Sequence, residues 1–143
     1  MTNKIFGRWA NYTEMQESWV EGQYDYDAGD SKRNPLPEDF PSEESVLFAS
    51  YGGGDYEGDA FVLYRKDDGL YEVDASHCSC YGLEGQWEPE ETTVEALAMR
   101  ERKNDRNEYW FFLHDHEGEA QEAYWALVDS MTAEIQRRDA LHQ

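Results

Sequence analysis

The pattern of apolar and polar residues along the chain changes period several times, and each change predicts an element. Tyr12, Met15 and Trp19 recur at helical spacing behind Asn11 or Thr13, either of which can cap a short helix. From Glu21 to Pro41 the periodicity disappears into YDYDAGDSKRNPLPEDFP, which reads as a long irregular connection. SVLFASY (Ser45 to Tyr51) and AFVLYRK (Ala60 to Lys66) are rich in β-branched and aromatic residues and read as strands, with GGGDYEGD connecting them. Asp67-Asp68-Gly69 predicts a tight turn into Leu70–Ala75, where Leu70, Glu72 and Asp74 alternate with Tyr71, Val73 and Ala75. These segments predict an antiparallel meander.

Beyond a loop over Ser76–Pro89, Thr92 and Glu95 fit a capping box. Val94, Leu97 and Ala98 share one face of the helix that follows, which is expected to end near Asn104. Glu108–His114 (EYWFFLH) reads as a further strand. Glu117–Leu141 has the longest helical stripe, Ala120, Tyr124, Leu127, Met131 and Ile135, widened by Ala123 and Val128. The fold class expected is α+β. A small antiparallel meander of three to four strands would be packed on one face by two or three helices, with a long helix at the C-terminal end. At 143 residues this fits a single acidic domain, with an irregular Pro-rich segment at about 21–44.

Charge changes that picture. Asp and Glu number 32 against 12 Lys and Arg, a formal net charge of -20. Between Ala10 and Met99 there are 22 acidic and four basic residues, a local net of -18, whereas residues 100–143 hold ten acids and six bases. An aromatic content of 15% supplies a core and argues against disorder. Such a field repels nucleic acid and anionic membranes, and attracts cationic surfaces over about 8 Å at physiological salt. Arg100, Arg102, Lys103 and Arg106 form the one basic cluster, but they sit among Glu101, Asp105 and Glu108 and read as a solvated helix end. The first ten residues carry no apolar run of signal-peptide length and no stretch is long enough to span a membrane, so a cytoplasmic protein is expected.

No catalytic motif is complete, and a non-enzymatic role is expected. The most metal-like set is His77, Cys78 and Cys80 with His114, a soft donor set suited to zinc. One residue between the cysteines is fewer than structural zinc sites use, and buried apolar thiols satisfy the same residues. A thiol nucleophile at Cys78 or Cys80 is disfavoured by neighbouring Asp74 and Glu84, which hold the thiol protonated. A disulfide across C-x-C is strained, so reduced thiols are expected. Gly52-Gly53-Gly54 is no phosphate cradle, because Asp55, Glu57 and Asp59 repel phosphate and no Walker-type lysine follows. Those same acids lack the spacing of a calcium loop. No cofactor is expected, with zinc the one candidate.

The segment SYGGGDYEGDAFVLYRKDDGLYEV, followed by SHCSCYGLEGQWEPEETT, resembles a module of small phage and prophage proteins. In that module a glycine-rich hairpin precedes a HCSCYG-x-E-x-QWEPE box. The resemblance spans Ser50 to about Leu97 and implies a phage origin; it implies no reaction. Within the box, Tyr81, Leu83 and Trp87 are expected to anchor the loop to the sheet, leaving Glu84, Glu88, Glu90 and Glu91 at the surface. The functional expectation is an acidic inhibitor that occupies the basic groove of a host nucleic-acid-binding factor such as a nuclease, restriction or CRISPR effector. It would mimic DNA without itself binding nucleic acid or membrane. The candidate contact residues are Asp25, Asp27, Asp30, Glu43, Glu44, Asp55, Glu57 and Asp59, interleaved with Tyr24, Tyr26 and Tyr56. The alternatives are a generic acidic interaction domain, acidity serving a high-salt host, or a zinc or thiol protein.

Overall fold

The computed structural model of the chain describes residues 4–20, 24–25, 30–31, 36–53, 57–78, 83, 86–99 and 119–141. After β1 (Ile5–Gly7), the short strands β2 (Tyr24–Asp25) and β3 (Asp30–Ser31) pair with each other, and β4 (Val46–Gly53), β5 (Glu57–Lys66), β6 (Gly69–Cys78) and β7 (Glu90–Thr92) follow; the central sheet has five strands in the order β1-β4-β5-β6-β7. The expected meander is its middle, β4 to β6, all antiparallel. Two short edge strands enlarge it: β7 antiparallel to β6, and β1 parallel to β4, which makes the sheet mixed. Three residues of β1 are too few to show a period of two, so the sequence pattern misses it. β4 and β5 also run further than expected into GGGDYEGD, pairing as far as Gly53 with Gly58. The turn at Asp67-Asp68 is as expected, closing Lys66 on Gly69 with Asp67 at φ 55°, a conformation Asp tolerates.

The helices do not share one face. Helix α1 (Tyr12–Ser18) buries Met15 and Trp19 against Ala49, Tyr51, Ala60, Val62, Tyr64, Val73 and Ala75. Helices α2 (Val94–Ala98) and α3 (Glu119–Leu141) instead cover Phe48, Phe61, Leu63 and Leu70. The central strands are apolar on both sides, so one helical layer leaves the other side uncovered. A bulge in β4 sharpens this. The register shifts between Val46 and Phe48, and Leu47 and Phe48 both pack toward α3 while Val46 and Ala49 pack toward α1.

Local chemistry sets the helix ends. The Asn11 side chain accepts the Glu14 amide at 3.0 Å, as expected of that cap. For α2 the cap is Thr93, whose hydroxyl accepts the Ala96 amide at 3.1 Å; Thr92 is the last residue of β7. Glu95 therefore sits one position too early for a capping box, and α2 stops at Ala98, short of Asn104. α3 buries Ala120, Tyr124, Val128 and Met131 of the expected stripe and adds Trp125. The strand expected at Glu108–His114 lies outside the described residues.

Gly7 is the tightest point of the sheet. At φ 79° it brings its backbone against Tyr51, and a Cβ there would overlap the Tyr51 carbonyl oxygen, which accepts the Arg8 amide at 2.8 Å. Gly7→Ala is expected to lower the unfolding free energy by about 2–3 kcal/mol, through a strained left-handed backbone and a displaced β1. Urea denaturation with the slope held free tests this.

Candidate partner-binding face

Three segments converge on the α1 side of the sheet: α1, residues 36–45 and residues 86–89. Aromatic rings bind them together. Phe40 lies 4.5 Å from Trp87 and 6.3 Å from Tyr12 between ring centroids, and Trp87 lies 5.0 Å from Trp19 and 5.8 Å from Tyr64. Trp9 continues the cluster, 6.3 Å from Trp19 and 5.1 Å from Tyr51. Polar tips on these rings find partners within the same layer. Tyr12 donates to the Pro41 carbonyl (2.7 Å), Trp9 Nε1 to Ser18 Oγ (2.8 Å) and Trp87 Nε1 to Asp39 Oδ1 (3.1 Å).

The outer surface of this layer is acidic. Glu14 and Glu17 project from α1, Glu38 precedes Phe40, Glu43 and Glu44 occupy a one-turn 3-10 helix (Glu43–Ser45), and Glu88 follows Trp87; all are exposed. Bases lie among these acids as well, with Arg65 and Lys66 lining a concavity beside Glu38 and Asp39. Lys4 Nζ donates to the Glu43 carbonyl, and the Arg8 guanidinium lies 5.2 Å from the Tyr51 ring centroid. Burial raises the Tyr12 pKa above its ordinary value, and the Glu43 and Glu44 carboxylates raise it further. The α3 side differs. There Arg65 reaches Met131 Sδ at 3.9 Å, and Arg138 pairs with Glu134 at 2.6 Å.

The structure gathers part of the expected contact set. Glu43 and Glu44 lie together beside Tyr12, near the end of β5 where Tyr64 pairs with Val46. Asp59 is half-buried near the other end of β5, opposite Gly52, five residues or roughly 17 Å away at strand rise. Glu57 opens β5. Tyr24, Asp25 and Asp30 fall in a two-stranded ladder of β2 (Tyr24–Asp25) and β3 (Asp30–Ser31), with Asp25 in register with Asp30. Tyr26, Asp27, Asp55 and Tyr56 lie outside the described residues. Sequence reasoning passed over Glu14, Glu17, Glu38 and Glu88. The signal for the first two was available: on the helix that buries Met15 and Trp19, they take the opposite face.

His77 and Cys78 end β6, in register with Gly58 and Glu57, while Cys80 and His114 lie outside the described residues. Among the described residues no group of three or more His, Cys, Asp or Glu is placed to hold a metal ion. The QWEPE part of the box has a structural role instead. Glu90 pairs with Glu72, and carrying that register back sets Pro89 opposite Val73, Trp87 opposite Ala75 and Gln86 opposite Ser76. Pro89 has no amide to offer a ladder. The Gln86 side chain closes the edge, donating to the Ser76 carbonyl (2.7 Å) and accepting the Ser76 amide (3.2 Å). Leu83 is buried and Trp87 half-buried in the α1-side core, and Glu88, Glu90 and Glu91 are exposed, all as expected; Tyr81 and Glu84 lie outside the described residues.

Tyr64 is 1% exposed and its pKa is pushed up to about 12, first by burial and then by the Asp39 carboxylate and Tyr71. A folded pKa above the unfolded value of about 10 means that this contribution to stability is complete below pH 10 and is lost as pH rises toward 12. Ultraviolet titration is expected to show one phenol ionising near pH 12, with stability falling over the same range, and a Tyr64→Phe chain lacking that step.

No helix among the described residues is long and apolar enough to cross a membrane. No protein-family model matches the chain, and neither a curated protein nor a solved structure is similar to it.

Proposed function

We propose that the chain is an acidic binding protein that inhibits a nucleic-acid-binding host factor by occupying its basic groove in place of phosphate. The observation that carries this reading is the two-sided build of the α1-side layer. Aromatic rings lock its segments inward, and Glu14, Glu17, Glu38, Glu43, Glu44 and Glu88 stand exposed on its outside. A packed scaffold holds the backbone that carries these carboxylates, so no chain ordering is added to the side-chain ordering on meeting a cationic surface, and the long-range field speeds encounter. A coat serving solubility alone requires no such fixed framework. The grooves this face complements belong to nucleases, restriction enzymes and CRISPR effectors, which neutralise many phosphates with Lys and Arg. The likeness of the box to small phage proteins fits an anti-defence role in the host cytoplasm.

Capture from host lysate on the immobilised full chain tests this. The expected result is recovery of a DNA- or RNA-binding protein that is released as salt rises from about 0.1 to 0.5 M, where screening shortens the reach of the field. Retention unchanged by salt contradicts the electrostatic account.

A further inference from the structure

On the α3 side of the sheet a cavity of about 600 Å³ opens between α3 and the turn that joins β5 to β6, with Arg65, Leu70, Val94, Met131, Ile135 and Arg138 in its walls. Arg65 continues the row of Phe61 and Leu63 that faces α3, and its guanidinium meets the Met131 sulfur, Nη2 to Sδ 3.9 Å. The sulfur therefore sits where a packed core meets an exposed cation. Met131 is 6% exposed and belongs to the α3-side core, whereas Arg65 is exposed. The other described methionines lie at the two extremes: Met15 is fully buried on α1, and Met99, just past α2, is 83% exposed.

We propose that Met131 is a site of reversible oxidation by peroxide, with Arg65 receiving the sulfoxide oxygen. The inference is independent of the binding function above. The sulfur lone pair takes one peroxide oxygen: the O–O bond breaks, the S–O bond forms, sulfur loses two electrons, and the second oxygen leaves with both protons as water. A thiol-dependent sulfoxide reductase reverses the step, returning two electrons and releasing the oxygen as water. A sulfoxide oxygen inside an apolar core has no partner, which is how methionine oxidation ordinarily loosens packing. At Met131 the side of the sulfur that faces the cavity also faces the guanidinium. The new oxygen there accepts a charge-assisted bond in place of the weak N–H···S contact. Arg138, the cavity's other guanidinium, is paired with Glu134 at 2.6 Å. The same geometry fixes the stereochemistry, because peroxide approaches the sulfur from the cavity alone and forms one sulfoxide epimer.

Hydrogen peroxide added to the full chain below its melting temperature, followed by peptide mapping by mass, tests the site. Met99 is expected to oxidise first, and Met131 at least about tenfold faster than Met15, which reacts only when the core opens. The Met131 peptide should carry mainly one epimer, restored by one of the two epimer-specific reductases, while Met99 divides between both. Oxidation should lower the melting temperature of the unsubstituted chain little. In Arg65→Leu, which keeps an apolar stem without the donors, it should lower it several degrees more. Adding Met131→Leu to that variant should abolish the difference. Oxidation of Met131 no faster than Met15, an even mixture of epimers at Met131, or an equal loss of melting temperature with and without the guanidinium overturns the proposal.

Discussion

Replacing Trp19 with alanine is expected to lower the unfolding free energy by about 3–5 kcal/mol, the range for emptying a large aromatic site in a packed core. Trp19 is 1% exposed and touches both Trp9 and Trp87, so it joins α1 to the QWEPE box across the α1-side core. The loss acts on function through the scaffold, because Glu14 and Glu17 ride on the same helix. Trp19→Phe should cost much less. The indole nitrogen of Trp19 is buried with no hydrogen-bond partner among the described residues, so phenylalanine removes an unsatisfied donor along with some volume. Denaturation midpoints of the two variants separate these effects: equal losses would show that the site tolerates no change of shape.

Neutralising the face should do the opposite, leaving the fold and removing the attraction. Glu14, Glu17, Glu43 and Glu44 are exposed on a chain of net charge -20, so changing all four to glutamine lowers the general repulsion and leaves the unfolding free energy the same or slightly higher. Association with the captured partner should slow by on the order of 10- to 100-fold at low salt, with a shallower salt dependence. Neutralising four exposed acids of α3, Glu119, Glu122, Asp129 and Asp139, to the corresponding amides provides the charge-matched control and should change the rate little. Equal slowing in both variants would mean that net charge alone, and not this face, drives association.

The elements that carry long periodic patterns were legible in the sequence. α1, the β4–β6 meander and the stripe of α3 all follow from spacing, while the choice of Asn11 over Thr13 as the α1 cap does not. What escaped depended on partners distant in sequence. β1 pairs with β4 over three residues and needs Gly7 to lie against Tyr51, and the second buried face of the sheet comes from β5, where Phe61 and Leu63 are buried opposite Val62 and Tyr64, with the bulge at Leu47 adding Phe48 to it. The choice of Thr93 over Thr92 as cap is decided by where β7 ends. The candidate face was half legible for the same reason. Charge density marked the acidic stretch, and Glu43 and Glu44 lie in it, but no local pattern shows that α1, residues 36–45 and the box close over one sheet face. That closure comes from ring contacts such as Phe40 with Trp87, between residues 47 positions apart. The HCSC string drew attention for its metal-like chemistry, while the neighbouring QWEPE string builds the sheet edge through Gln86 and Ser76.

The central claim, occupation of a nucleic-acid groove by this acidic face, is tested most directly by competition. The captured partner is first bound to a labelled nucleic acid, and the full chain is then added at constant ionic strength. The account predicts complete displacement with simple competitive dependence on both concentrations, and a loss of potency when Glu14, Glu17, Glu43 and Glu44 are glutamine. A stable ternary complex of chain, partner and nucleic acid would contradict it.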